Sequence, residues 1–172
     1  MSCDCDRIES FCFWDEEGRC ETWEEWLQEI NTGEEKAFGK TVRYTWRACG
    51  RSYGMANPDP ETGALVLLEP LPDWSGLIAL YSIDTPDNVV LLDACGGVRK
   101  RLRVPWEMVR DCRAEGATFI GVLRRGCYNR AEGRWGKCAL KADIYWSDGW
   151  GSNYCFELDW RTGEFLWWHE QR

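Results

Sequence analysis

The sequence predicts an α+β fold in which one large, curved antiparallel sheet of eight to ten strands carries about two helices. Three observations predict it. Apolar residues recur at a period of two, the spacing of half-buried strands. The runs are separated by polar turns ending in Gly: Asp15-Glu16-Glu17-Gly18, Asp59-Pro60-Glu61-Thr62-Gly63, Arg130-Ala131-Glu132-Gly133 and Trp160-Arg161-Thr162-Gly163. Gly supplies the positive φ that closes such hairpins. The crossover helices of a parallel sheet are missing.

The elements follow in order. Residues 11 to 20 read as a hairpin. Thr22 caps a helix over 22 to 30, and Glu25 completes its capping box. Trp23, Trp26, Leu27 and Ile30 fall on one stripe of that helix, and Asn31-Thr32-Gly33 stops it. Val42, Tyr44 and Trp46 alternate with polar residues along a strand. Residues 64 to 69, 77 to 83 and 88 to 93 are short apolar runs, and Thr85-Pro86-Asp87-Asn88 joins the last two as a hairpin. Val98, Leu102 and Val104 alternate with Arg99, Arg101 and Arg103. Pro105 opens a second helix that runs to Glu115-Gly116, with Trp106, Val109 and Cys112 as a narrow apolar face. Residues 118 to 123, 138 to 146, 154 to 160 and 165 to 168 complete the strands. Trp23, Trp26, Trp46, Trp146 and Trp160 lie on apolar faces and are expected in the core. No linker or fixed-period repeat interrupts the chain, so residues 1-172 are read as one domain.

The chain has 172 residues and ten Cys. That is long enough to bury a core without covalent staples. Met1 to Glu9 is acidic and polar, unlike a secretory leader, and no run of 18 apolar residues could cross a membrane as a helix. A cytoplasmic protein with mostly reduced thiols, at least eight of them, is therefore expected. A secreted cysteine-rich effector is the competing reading. Cys49, Cys95, Cys112 and Cys155 lie in or beside apolar segments, where a thiol behaves as a small hydrophobe. Cys3, Cys5, Cys12 and Cys20 form C-x-C-x6-C-x7-C, too irregular for the paired knuckles of a zinc site. No metal or cofactor is expected.

The net charge of -8 hides an asymmetry: residues 1 to 35 carry net -10, and residues 97 to 141 carry net +8. The basic stretch, with Tyr128 and Trp135 among its arginines, suggests a face over 99-135 that could take a ligand or single-stranded nucleic acid. The acidic total opposes nucleic acid. Glu24, Glu25 and Glu29 share the polar side of the first helix, a surface suited to a basic protein.

Catalytic chemistry is hard to assemble. Nucleotide-binding, serine-hydrolase and zinc-protease motifs are absent. Cys95 in Ala94-Cys95-Gly96-Gly97 would need His169, the sole imidazole, as its base, and His169 lies near the C-terminus. Asp143, Asp148, Glu157 and Asp159 fit the solvent face of a sheet better than an acid–base pair. No catalytic residue is assigned. Trp74, Trp135 and Trp150 fall in polar, Gly-flanked loops. Loop Trp residues serve as interface anchors when exposed and as lids on the core when not.

In size, acidity and lack of a catalytic constellation, the chain is similar to bacterial immunity proteins, which neutralise a basic toxin domain by covering its active site, and to phage-encoded inhibitors of host defence. That resemblance implies a non-enzymatic, antitoxin-like inhibitor whose partner is a basic protein, a toxin or defence enzyme. The partner-binding residues expected are Glu24, Glu25, Glu29, Trp74, Trp135, Asp148 and Trp150.

Overall fold

The structure is a computed structural model that describes residues 5–33, 39–57, 65–82 and 84–171. In chain order the elements are β1 (Ile8–Asp15), β2 (Cys20–Thr22), α1 (Trp23–Thr32), β3 (Thr41–Ala48), β4 (Arg51–Ala56), β5 (Leu65–Pro70), β6 (Gly76–Tyr81), β7 (Val89–Asp93), β8 (Val98–Leu102), β9 (Ala114–Leu123), β10 (Tyr128–Asn129), β11 (Arg134–Trp135), β12 (Ala139–Trp146), β13 (Gly151–Asp159) and β14 (Glu164–Gln171). The predicted single large sheet of eight to ten strands is corrected. The described strands form three four-stranded antiparallel sheets, β2-β1-β3-β4, β5-β6-β7-β8 and β14-β13-β12-β9, plus the ribbon β10-β11.

Burial explains the division. In β6 and β7 both side-chain faces are covered, giving almost unbroken buried runs. Leu77, Ala79, Val90 and Leu92 join Phe11, Trp23, Tyr44 and Trp46 of the first sheet region in one cluster. Ile78, Leu80, Val89 and Leu91 join Phe119, Leu140, Ile144 and Phe156 of the third sheet in another. The β5–β8 sheet is thus the middle layer. Each fully buried aliphatic side chain there contributes roughly 1.5–3 kcal/mol. Trp23, Trp46, Trp146 and Trp160 are buried as expected, whereas Trp26 is only partly so.

The helix at 22 to 30 is present as α1. Thr22 Oγ1 accepts from Glu25 N at 3.3 Å, and Thr22 N donates to the Glu25 carboxylate at 2.9 Å. Gly33 ends the helix in the left-handed region, φ 70°. Thr22→Ala is expected to cost about 1 kcal/mol, measured by urea unfolding with the slope unchanged.

The second predicted helix is corrected. Residues Trp106–Met108 form a single 3-10 turn, and Ala114 already begins β9. Its apolar face is too narrow to pay back helix formation; Trp106 instead lies under the Arg103 guanidinium, 3.6 Å from the ring centroid.

The expectation of at least eight free thiols is also corrected. Cys5 and Cys49 are joined by a disulfide, and Cys95 is disulfide-bonded as well. Cys12, Cys20, Cys112, Cys127, Cys138 and Cys155 are free. The Cys5–Cys49 bond ties the start of the first sheet to the β3–β4 turn and removes Cys5 from the C-x-C-x6-C-x7-C set, whose Cys3 lies outside the described residues. The turn at residues 59 to 63 also lies outside them.

Candidate functional site

The third sheet and α1 border one groove, and the segment that forms its far wall is anchored on a buried carboxylate. Glu157 on β13 is buried, and its Oε2 accepts from Cys127 N at 2.7 Å. Its Oε1 accepts from Lys137 N at 2.6 Å and Cys138 N at 3.3 Å. Backbone N–H groups converging on an anion fix a loop without needing a cationic side chain. The segment between β9 and β12 closes over Glu157 because Gly126 and Gly136 lack side chains. A Cβ at Gly136 would lie 1.9 Å from the Glu157 carboxylate. Anchored at both ends, the segment projects β10 and β11 outward. Asn129 Oδ1 accepts from Ala131 N and Glu132 N at the ribbon's tip.

Helix α1 forms the opposite wall. Trp23 stacks on Trp26 at 5.0 Å, and Phe13 touches both rings. The Arg124 guanidinium lies 4.0 Å from the Trp26 centroid and forms an ion pair with buried Glu69 on β5. Burial pushes Glu69 up to about 7 despite the opposing pull of Arg124. Burial likewise lowers Arg124, so desolvation outweighs the attraction at both partners.

The apolar stripe of α1 is only half covered. Trp23 is buried, Leu27 is half-buried and Ile30 is 55% exposed. Leu27 and Ile30 face Val122, Arg124, Tyr128 and Trp135 across an open groove of about 530 Å³. Trp135 is 64% exposed and lies against Tyr128 at 5.3 Å. A second groove of about 670 Å³, sharing Tyr128, runs between β10 and Trp167-Trp168-His169 of β14.

The residues singled out from the sequence do not converge on one spot. Trp135 and α1 meet at the groove. Glu24 and Glu25 are exposed on the helix, but the Glu25 carboxylate is engaged by Thr22; Glu29 is half-buried. Trp74 has φ 62° and is half-buried against the first core cluster, its carbonyl accepting from Ile8 N at 2.7 Å, which is the lid arrangement. Trp150 is 71% exposed at the β12–β13 turn, where Asp148 pairs with Arg110 at 2.9 Å. That turn follows Trp146, which pairs with Ala114, whereas Ala139 at the other end of β12 pairs with Leu123 beside the groove. Trp150 and Trp135 therefore belong to opposite ends of the sheet. Sequence reasoning missed Ile30 and Leu27 as groove residues because their stripe looked like ordinary core.

Several cations of the basic stretch 99-135 are engaged within the chain. Arg99 and Lys100 on β8 donate to the carbonyls of Arg161 and Thr162, and Arg101 donates to that of Asp87. Arg124, just after β9, pairs with Glu69 and lies over Trp26, and Arg134 on β11 pairs with Glu132 and lies over Trp167. Cys95 is held in a disulfide, so it cannot serve His169 as a nucleophile. Among the described residues, no three His, Cys, Asp or Glu side chains cluster to hold a metal ion.

No protein family matches this chain, and no curated protein matches its sequence. Among solved structures, a chain from the structure of Tne2 in complex with Tni2 is similar, with 15% identity and a TM-score of 0.59, over 96% of this chain and 99% of that one. At that identity the likeness shows the fold alone: the layered β architecture described above is shared end to end with a chain solved beside a protein partner.

Proposed function

We propose that the protein is a non-enzymatic, immunity-like inhibitor that binds a basic protein, a toxin or defence enzyme, and masks it. The observation that carries this reading is the groove: α1 leaves Leu27 and Ile30 uncovered opposite an exposed Trp135. Uncovered apolar side chains around a shaped depression mark a protein contact more often than chance exposure. The likeness to a chain solved in a two-protein complex supports a protein partner. Glu24 on α1 and Glu16 and Glu17 on the β1–β2 turn are exposed on the strongly acidic first part of the chain, which favours a basic partner with an apolar anchor for the groove.

The partner is identified by capture on the immobilised protein from its native host, followed by association and dissociation rates on the purified pair. Trp135→Ala is expected to raise the dissociation rate about thirtyfold, equivalent to about 2 kcal/mol. Glu16→Lys with Glu24→Lys is expected to slow association and flatten its salt dependence, leaving the capping box intact. If Trp150→Ala speeds dissociation and Trp135→Ala does not, the contact is at the β12–β13 turn and the groove assignment is wrong. If tight, salt-sensitive binding to short single-stranded DNA appears in place of a protein partner, the masking reading fails.

A further inference from the structure

We infer that Cys127 and Cys155 are a disulfide-forming pair that covalently staples the groove wall to β13. Cys127 opens the ribbon segment, Cys155 lies on β13, and both are buried together with Ala139 in a small cluster of their own. The Cys127 thiol donates to the Cys155 carbonyl at 3.2 Å. The Cys155 side chain lies close enough to the Cys127 thiol for each to shift the other's titration. Cys127 is held in place from its own backbone, since its N–H is fixed on the Glu157 carboxylate. The two partners are thus presented to each other by rigid elements. Both residues border the open groove between α1 and the ribbon but are buried, so a small oxidant reaches them when the ribbon segment opens.

The protonation states favour the same chemistry. Interaction with the Cys155 thiol holds Cys127 below the ordinary thiol value, and the same interaction together with burial raises Cys155. Cys127 is the first nucleophile, because the thiolate is the reactive form. Cys138 is a poor competitor, since burial pushes it up to about 12. With a small disulfide such as oxidised glutathione, the Cys127 thiolate attacks one sulfur, the glutathione S–S bond breaks, and one reduced glutathione leaves with a proton. Cys155 then loses its proton and attacks the Cys127 sulfur, expelling the second glutathione. Two thiols are oxidised, and one external disulfide is reduced to two thiols.

The test is independent of any partner. The full-length folded protein is equilibrated with excess oxidised glutathione, quenched in acid, denatured with an alkylating agent, and peptide-mapped without reduction. The expected result is a peptide pair linked through Cys127 and Cys155, lighter by two hydrogens, with Cys138 alkylated. In Cys127→Ser, Cys155 should become fully alkylated, and circular dichroism reports that the variant is folded. The inference is overturned if Cys127 and Cys155 are both alkylated while the Cys5–Cys49 bond is intact, if Cys127 remains a glutathione adduct, or if it is linked to Cys138.

Discussion

Glu157→Ala is expected to destabilise the protein by about 4 kcal/mol, more than an ordinary surface or core truncation, because it strands several donors at once. In the wild type the carboxylate receives the N–H groups of Cys127, Lys137 and Cys138. A hydrogen bond to a charged group contributes about 1.5–3 kcal/mol, and a buried N–H left without an acceptor costs about 1–3 kcal/mol. Three such losses cannot be made good by water unless the segment over Glu157 opens. The ribbon should therefore detach locally: amide exchange at Cys127, Lys137 and Cys138 should accelerate before global unfolding does. Glu157→Gln retains one acceptor oxygen and should lose less. Gly136→Ala should mimic the Ala variant from the other side, since its Cβ would fall within 1.9 Å of the carboxylate. Denaturant unfolding of the three variants, with exchange read by mass spectrometry, checks the order. Equal stability of Glu157→Ala and wild type would show that the carboxylate does not hold the ribbon.

How much of this was legible from the residues differs by level. Local signals were strong where one residue type does one job. Thr22 and Glu25 specify the start of α1, and alternation placed β3, β12 and β13. The same alternation could not say which strands pair. The runs in β6 and β7 are apolar on both faces, which is the mark of a layer covered twice, and reading them as one more part of a curved sheet lost the three-layer arrangement. β4 went unread because Gly54 and its polar neighbours give no buried face; none of its residues is buried. At the site, Trp135 could be singled out by its glycine-flanked position. Glu157 could not, because a carboxylate amid strand residues looks the same whether it meets water or three backbone N–H groups. The only sequence trace of that arrangement is the pair Gly126 and Gly136, whose closeness to Glu157 depends on pairing thirty residues away. The cysteine pairings were illegible for the same reason: spacing along the chain carries no record of which strands lie side by side.

Burial of Glu69, only partly offset by Arg124, should make stability fall as pH rises toward neutrality. Glu69 is buried on β5, and burial pushes its carboxyl from the usual 4.5 up to about 7. The folded state therefore holds a proton that the unfolded chain releases between about pH 4.5 and 7, so stability is greatest below that window and is lost as pH rises through it. The shift corresponds to about 3 kcal/mol over the window. Glu69→Gln should remove this component, leaving a flatter profile from pH 5 to 8. Arg124→Leu should act in the opposite direction. It removes the cation that favours the ionised carboxylate and leaves an unpaired charge in the interior, so the loss should steepen and extend above pH 7. At pH 8 we expect a cost of about 3 kcal/mol, at the low end for a broken buried pair because the Arg124 side chain is itself partly exposed. At pH 5, where Glu69 is protonated, the cost should fall below about 1 kcal/mol. Arg124 also lies over Trp26 and Trp23, so the alkaline loss should be accompanied by a change in tryptophan emission as α1 loosens over the groove. Denaturant titrations at pH 5, 6, 7 and 8 on the wild type and both variants decide it. A Glu69→Gln profile parallel to that of the wild type would show that the pair does not titrate in this range.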